Sequence, residues 1–137
     1  MNEEINLQDM FKKGNSYYHN KNYDLALTCY DKYLQMCSED NIQKGSVLYN
    51  KGVVLIHQKQ YDSAIIYLKE SVKLFTTNYA NDEKIGNSMF NIGFCYVKLR
   101  NCYMAYLYFS KSKKYIPTDD QLHQSLNMMK KKLVCKK

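Results

Sequence analysis

Two histidines, His19 and His57, have the clearest potential in this sequence to do chemistry together. His19 lies five residues after Gly14, and His57 lies five residues after Gly52. Lys98 lies at the same distance after Gly93, the third glycine of this series. Neutral imidazoles are common metal ligands, but a lysine ammonium in the same row would repel a cation. The spacing therefore favours solvated or partner-facing histidines, and we predict no metal site and no cofactor.

Motifs for catalysis are missing from the sequence. It contains no Gly-x-Ser-x-Gly elbow, no glycine-rich phosphate loop and no His-Glu-x-x-His pair. The cysteines are odd in number and include no Cys-x-x-Cys pair, so neither a disulfide framework nor a zinc site is indicated. We expect small, buried side chains at Cys29, Cys37, Cys95, Cys102 and Cys135, and we predict a protein that is not an enzyme.

Charge and hydropathy give weaker indications. The chain has 20 Lys and Arg against 13 Asp and Glu, and Arg100 is its one arginine. A specific nucleic-acid reader would cluster its basic residues and use more arginine, so we predict a solvated basic surface and no specific nucleic acid. The acidic start Met1–Glu4 precedes no apolar signal core, and the longest aliphatic run is Val53–Ile56. These features predict a cytoplasmic protein without a membrane span.

The elements that position these side chains are predicted to be helices. A chain of 137 residues is about one domain long. Five glycines and one proline provide too little turn material for a β-sandwich or barrel. We therefore predict a single all-α domain over residues 1–137.

An internal repeat organises the chain around Gly14, Gly52 and Gly93, which are 38 and 41 residues apart. Aromatic residues precede each glycine by three positions, alanines follow it by twelve, and large apolar residues follow it by sixteen. These positions are Phe11, Tyr49 and Phe90; Ala26, Ala64 and Ala105; and Tyr30, Leu68 and Phe109. Each repeat is a unit that must stack on its neighbours to bury an apolar face.

Each repeated position has a mechanical role in a helix–turn–helix hairpin. The glycine should let the second helix approach closely, with the alanine as the small surface opposite it. The large residue sixteen positions on should wedge the second helix against the next repeat. Lys21–Asp24 and Lys59–Asp62 are predicted to be tight turns, and each places an Asp in the first turn of the next helix, where it suits the helix dipole.

The C-terminal segment, residues 119–135, is predicted to be a capping helix. It follows Pro117, and Thr118 and Gln121 have the spacing of a capping box. Its apolar residues recur at steps of four, three and four, which gives one stripe to cover the last hairpin. The stripe consists of Leu122, Leu126, Met129 and Leu133.

This pattern of Gly, aromatic, Ala, aromatic and Pro resembles the tetratricopeptide repeat (TPR) family. The resemblance covers three repeats, at about 7–40, 45–78 and 86–118. The spacings exceed the family's usual period of about 34 residues, and the extra residues lie at 39–45 and 81–86. The chain is therefore similar to the long-repeat branch, whose helices are about a turn longer. The resemblance implies a right-handed α-solenoid of three hairpins plus a C-terminal capping helix.

On a helical wheel, the first helices have a buried stripe made of each glycine, the residue four before it and the residue three after it. In the TPR family the opposite face is the concave groove, which holds an extended peptide or a partner helix. This face has more aromatic rings than expected for a helix face that contacts only water. They could instead be buried between adjacent first helices, and both readings stay open here. The resemblance implies a groove formed by Gln8, Phe11, Lys12, Asn15, His19, Ser46, Tyr49, Asn50, Val53, His57, Asn87, Phe90, Asn91, Phe94 and Lys98.

Asparagines in this groove are implied to hold peptide backbone, as they do in the family, because an amide both donates and accepts hydrogen bonds. The chaperone-binding branch adds a carboxylate clamp of asparagines and three cations. This chain keeps Asn15 and Asn50 but has Phe11, Asn87 and Asn91 where the cations belong. An acidic chaperone C-terminal tail is therefore predicted to be a poor ligand, with Lys12 only a weak substitute.

Three classes of function remain open from the sequence. The leading one is a protein–protein interaction module, an adaptor or scaffold, that binds a peptide segment in the groove. The second is self-assembly, in which the capping helix or groove of one copy engages another. The third is weak binding of nucleic acid or an anionic surface through the lysines, which would show a steep salt dependence.

Overall fold

The computed structural model describes residues 3–135, and the side chains of residues 6–133. Within residues 3–135 the chain forms seven α-helices and no strand. Consecutive helices pack against each other, so that α1/α2, α3/α4 and α5/α6 form three hairpins and α7 covers the last one. The helices are α1 (Glu3–His19), α2 (Tyr23–Met36), α3 (Ile42–His57), α4 (Tyr61–Thr77), α5 (Asp82–Lys98), α6 (Cys102–Lys113) and α7 (Asp120–Cys135). The predicted α-solenoid is confirmed.

The repeated glycines make room for the large side chain sixteen residues later. A Cβ atom on Gly52 would come within 2.7 Å of Leu68 Cγ, and one on Gly93 within 2.6 Å of the Phe109 ring. The alanine predicted to lie opposite the glycine is also close at Gly52, because the carbonyl oxygen of the fully buried Ala64 would lie 3.4 Å from the same Cβ atom.

Two further glycines, Gly45 and Gly86, admit side chains from the end of the second helix of the same hairpin or from just beyond it. A Cβ atom on Gly45 would lie 2.8 Å from the Phe75 ring, and one on Gly86 would lie 2.7 Å from Ile116. These glycines belong to the first turns of α3 and α5. The extra residues of the long repeats therefore lengthen the first helices as well as the connections between hairpins.

The turns inside the hairpins share one backbone conformation. Lys21, Lys59 and Arg100, each seven residues after its glycine, have φ values of 62°, 61° and 61°. The next amide then bonds back into the first helix, as Gln60 N–H does to the carbonyl of Leu55 at 2.8 Å. A left-handed residue with such a bond ends a helix in the manner of a Schellman motif.

Asparagine and aspartate side chains cap several helices. Asn41 and Asn81 accept bonds of 2.8 and 2.9 Å from the third backbone N–H of α3 and α5. At α7 the cap is Asp119, whose carboxylate accepts from Leu122 N–H at 2.8 Å. The capping box predicted at Thr118 was therefore displaced by one residue, because a carboxylate is available next to it.

The core consists of three clusters, one at each step of the solenoid. Tyr30 packs with α3, Leu68 packs with α5, and Phe109 packs with α7. On α7, Leu122 is 0% exposed, whereas Leu133 at the end of the same stripe is half-buried. The large residues thus join each hairpin to the next element, as predicted.

The cysteines and the hydropathy of the helices complete the description. Cys29, Cys37 and Cys95 are buried and Cys102 is half-buried, all as free thiols, whereas the side chain of Cys135 lies outside the described part. Burial raises the pKa of the Cys95 thiol to about 12, which keeps it protonated and unreactive. None of the helices described has the length and apolar character needed to cross a bilayer.

Candidate functional site

The residues of the predicted groove lie on α1, α3 and α5, and they fall into two groups by exposure. Aromatic, aliphatic and amide side chains are half-buried, which means that each contacts the protein and also solvent. These are Phe11, Asn15, Tyr49, Asn50, Val53, Asn87, Phe90, Asn91 and Phe94. The charged and imidazole side chains Lys12, His19, His57 and Lys98 are exposed.

A cavity of about 390 Å³ lies where α1, α3 and α5 meet. Five of the predicted groove residues line it: Phe11, Ser46, Tyr49, Asn50 and Asn87. The structure therefore brings residues of three different repeats to one concave site.

Four further residues line this cavity and were not predicted from the sequence: Phe75, Asn81, Glu83 and Lys84. Glu83 and Lys84 lie about one helical turn before Asn87 on α5, and a helical wheel extended over the longer first helix would have included Glu83. Phe75 belongs to α4 and reaches the cavity because Gly45 leaves space for its ring. Lys84 Nζ lies 5.8 Å from the centre of that ring.

Asn15 is held in place by two hydrogen bonds to its side-chain oxygen. The hydroxyl of Tyr30 donates to it at 2.7 Å, and the amide of Asn50 donates to it at 3.0 Å. Burial raises the pKa of Tyr30, so this phenol stays protonated and remains a donor. With its oxygen occupied, Asn15 has its NH₂ group left to donate, and Asn50 has its oxygen left to accept.

Asn91 is oriented by the neighbouring repeat. Its NH₂ group donates a 2.9 Å hydrogen bond to the hydroxyl oxygen of Tyr49. Burial also raises the pKa of Tyr49, although the bond from Asn91 opposes this effect. The Tyr49 hydroxyl proton and the Asn91 carbonyl oxygen are then the groups that a ligand could use.

The phenylalanines of the groove differ in their surroundings. Phe90 packs against Phe109 at a centroid distance of 5.4 Å and belongs to the third core cluster, and Phe11 lies 6.3 Å from Tyr33. Phe94 instead has Lys98 Nζ at 5.4 Å from its ring centre. The alternative placed these rings between adjacent first helices, whereas Phe90 packs against Phe109 of α6, which is a second helix.

The two histidines lie on either side of Tyr18. His57 stacks on Tyr23 at 5.0 Å with an interplanar angle of 9°, and Tyr18 meets His19 and His57 edge-on at 5.4 and 6.2 Å. Across the part of the chain that the structure describes, no group of three His, Cys, Asp or Glu side chains could hold a metal ion. The histidine pair is an aromatic surface patch.

The basic side chains on the groove face outnumber the acidic ones. Lys12 on α1 and Lys98 at the end of α5 are exposed, and Lys84 lies at the cavity. Glu83 is the acidic residue among those that line the cavity. A ligand with negative charge would therefore meet a complementary surface.

Comparison with known proteins decides the family. A family model described as tetratricopeptide repeat matches residues 7–77, just over half of the chain. The chain belongs to the tetratricopeptide repeat family. No curated protein is similar enough in sequence to be matched to this TPR chain.

Solved structures of TPR domains share its fold. The N-terminal domain of stress-induced protein-1 from C. elegans superposes with a TM-score of 0.79 at 20% identity, over 90% of this chain and 94% of that one. The TPR2AB domain of yeast Sti1, in complex with an HSP90 peptide, gives 0.76 at 24% identity, over 93% of this chain and 47% of that one. The second TPR domain of human RPAP3, in complex with an HSP70 peptide, gives 0.77 at 16%, over 94% and 98%.

Proposed function

We propose that this TPR protein is a non-enzymatic protein-interaction module, which binds an extended or helical peptide segment in its concave groove. The observation that carries the proposal is the cavity of about 390 Å³ between α1, α3 and α5. It combines apolar rings with amides, which is the composition expected of a site that buries a side chain and pairs with a backbone. The TPR family and the peptide complexes of yeast Sti1 and human RPAP3 support this class of function.

The aromatic rings of the groove would bury apolar surface of the ligand, and the asparagine amides would fix the position of its backbone. Tyr49 and Phe11 line the cavity, and Phe94 lies farther along the same face. Asn15 and Asn91 each have one side of the amide tied to the protein, so binding a peptide would cost little further ordering of these side chains. Val53, His19 and His57 would extend the contact surface beyond the cavity.

The ligand differs from a chaperone tail in this proposal. Phe11, Asn87 and Asn91 occupy the positions where the chaperone-binding branch has cations, and Phe11 and Asn87 line the cavity itself. At these two positions a free carboxylate would meet neutral side chains in place of the clamp cations, and the cation that lines the cavity is Lys84. Lys12, Lys84 and Lys98 would instead favour acidic residues anywhere along the ligand, in a manner that salt weakens.

The test is to fill the cavity. Peptides selected from a random library on the wild-type protein would be measured by calorimetry against Ser46→Trp, which places an indole in the cavity, and against Thr76→Trp as a matched control. Thr76 is exposed on α4, and it does not line the cavity. We expect Ser46→Trp to weaken binding at least about tenfold, which is about 1.4 kcal/mol, and the control to bind like wild type.

Equal binding by the wild-type protein and a correctly folded Ser46→Trp variant would overturn the groove proposal. Self-assembly is a separate outcome, since it would appear as a mass that rises with protein concentration in light scattering without any peptide. Electrostatic binding to nucleic acid would show a steep salt slope that Ser46→Trp leaves unchanged.

A further inference from the structure

Outside the predicted groove, two lysines converge on one tyrosine ring where α4, α5 and α6 meet. Lys69 Nζ and Lys111 Nζ lie 5.7 and 4.8 Å from the centre of the Tyr108 ring. Tyr96 stacks on Tyr108 at a centroid distance of 5.8 Å, and its hydroxyl accepts a 3.4 Å hydrogen bond from Lys69. Two exposed lysines and two half-buried phenol rings thus form one cluster.

At the equivalent junction one repeat earlier, where α2, α3 and α4 meet, a carboxylate neutralises the charge of a lysine. There Lys51 Nζ lies 3.9 Å from the centre of the Tyr67 ring, and Asp31 pairs with it at 2.6 Å. Glu70 adds a second carboxylate to the same cavity of about 430 Å³. That junction therefore carries its own acidic groups beside the cation.

At the second junction the charges of these repeat positions are reversed. Lys69 follows Gly52 by seventeen residues, as Asp31 follows Gly14. Lys111 follows Gly93 by eighteen residues, as Glu70 follows Gly52. Ile92, directly before Gly93, takes the place of Lys51. Within residues 6–133, neither ammonium lies within 4.0 Å of a carboxylate oxygen. Both ammonium groups therefore lie at one tyrosine ring, and neither has an ion-pair partner among the described residues.

We propose that Lys69, Lys111 and the Tyr96 hydroxyl form a binding site for a phosphate monoester. Two ammonium groups match the charge of a dianion, and lysine is a common phosphate ligand as a point charge. The oxygen of Tyr96 accepts from Lys69, so its proton is free to donate to a phosphate oxygen. The phosphate could come from a phosphorylated side chain of a partner or from free inorganic phosphate.

The experiment follows the side-chain CεH₂ signals of the lysines and the α4 and α6 amides by NMR, at a pH above about 7, where a phosphate monoester is dianionic. The probes are inorganic phosphate, a phosphoserine peptide and the same peptide with unmodified serine, all at one ionic strength. The test variant is Lys69→Gln/Lys111→Gln. Its matched control is Lys32→Gln/Lys130→Gln, which removes the same charge from exposed sites on α2 and α7.

We expect saturable shifts at Lys69 and Lys111 with the phosphopeptide, and at least about a tenfold loss of affinity in the test variant against less than about twofold in the control. Shifts with inorganic phosphate of equal affinity would identify the free anion as the ligand. No saturable shift with either probe would overturn the proposal. Equal losses in both variants, or tighter binding of a single-stranded RNA phosphodiester than of the phosphopeptide, would overturn it as well.

Discussion

The side-chain amide of Asn91 on α5 donates a 2.9 Å hydrogen bond to the hydroxyl of Tyr49 on α3. The bond joins two repeats across the floor of the groove, and both residues are half-buried. It orients the amide before any ligand arrives. The orientation of this groove amide is thus coupled to the contact between the second and third hairpins.

Replacing Tyr49 by Phe should remove this bond and keep the ring. We expect a loss of about 1 kcal/mol in the free energy of unfolding, because the Asn91 amide loses its partner in a half-buried place. Urea denaturation checks the value. The control is Tyr103→Phe, whose side chain is 67% exposed and should give almost no change. Equal effects of the two substitutions would contradict the role given to this bond.

The repeated glycines give a steric prediction. Gly52→Ala would bring a Cβ atom to 2.7 Å from Leu68 Cγ. We expect a destabilisation of about 1–3 kcal/mol from overpacking, although alanine has the higher helix propensity by about 1 kcal/mol. The double variant Gly52→Ala/Leu68→Ala should lose less than the sum of the single changes, because the clash is gone. A stabilised Gly52→Ala protein would show that the close contact relaxes without cost.

These contacts also show how far the sequence predicts the fold. The sixteen-residue interval from Gly52 to Leu68 recurs in each repeat. Because the large side chain packs over the glycine, this interval predicts which two helices form each hairpin. The capping box was wrong because Asp119 and Thr118 are adjacent cap residues, and the sequence does not show which of them reaches the N–H of Leu122. That choice depends on where the chain leaves the third hairpin.

The groove was predicted less completely than the hairpins. A helical wheel places Phe90 and Phe94 on one face, but it contains no information about α6, and Phe109 is what covers Phe90. Phe75 reaches the cavity from a second helix, which a wheel of the first helices leaves out. The hydrogen bonds of Asn15 to Tyr30 and Asn50 could not be predicted from the sequence either, because they depend on the distances between α1, α2 and α3.

The left-handed turns offer a stabilising change. Lys59 has φ of 61°, a conformation that costs a residue with a Cβ atom about 1–2 kcal/mol relative to a right-handed one. Lys59→Gly should therefore raise the free energy of unfolding by about 0.5–1 kcal/mol, since part of the gain is lost to the entropy of the unfolded glycine. Lys59→Ala retains the Cβ atom and serves as the control. If both variants melt at the same temperature, the turn is not strained.

The capping helix gives a prediction about burial. Leu122 is 0% exposed and packs with Phe109, so Leu122→Ala should cost about 2–5 kcal/mol by opening a cavity. Met128 lies on the same helix but is 51% exposed, and Met128→Ala should change stability by less than about 0.5 kcal/mol. Thermal unfolding followed by circular dichroism measures both. Comparable losses in the two variants would mean that α7 does not cover the third hairpin as described.

The last prediction concerns a triple variant that should change the ligand preference of the groove toward an acidic C-terminal peptide. Phe11→Lys, Asn87→Lys and Asn91→Arg together would place cations at the three clamp positions, beside Asn15 and Asn50. We expect the triple variant to bind an acidic C-terminal peptide at least about tenfold more tightly than wild type, and to lose this gain when the terminal carboxylate is amidated. Calorimetry with the free and the amidated peptide measures the difference.

The control for this conversion carries the same added charge away from the groove, as Thr28→Lys, Thr76→Lys and Gln124→Lys at exposed sites. General attraction of an acidic peptide would improve binding equally in the control and would ignore amidation, because exposed charges act through screened, long-range fields. Asn91→Arg removes the partner of Tyr49, so the unfolding of the triple variant is measured first. If the wild-type protein already binds the free tail tightly and discriminates against the amidated one, the groove contains a working clamp, and the assignment of Phe11, Asn87 and Asn91 is wrong.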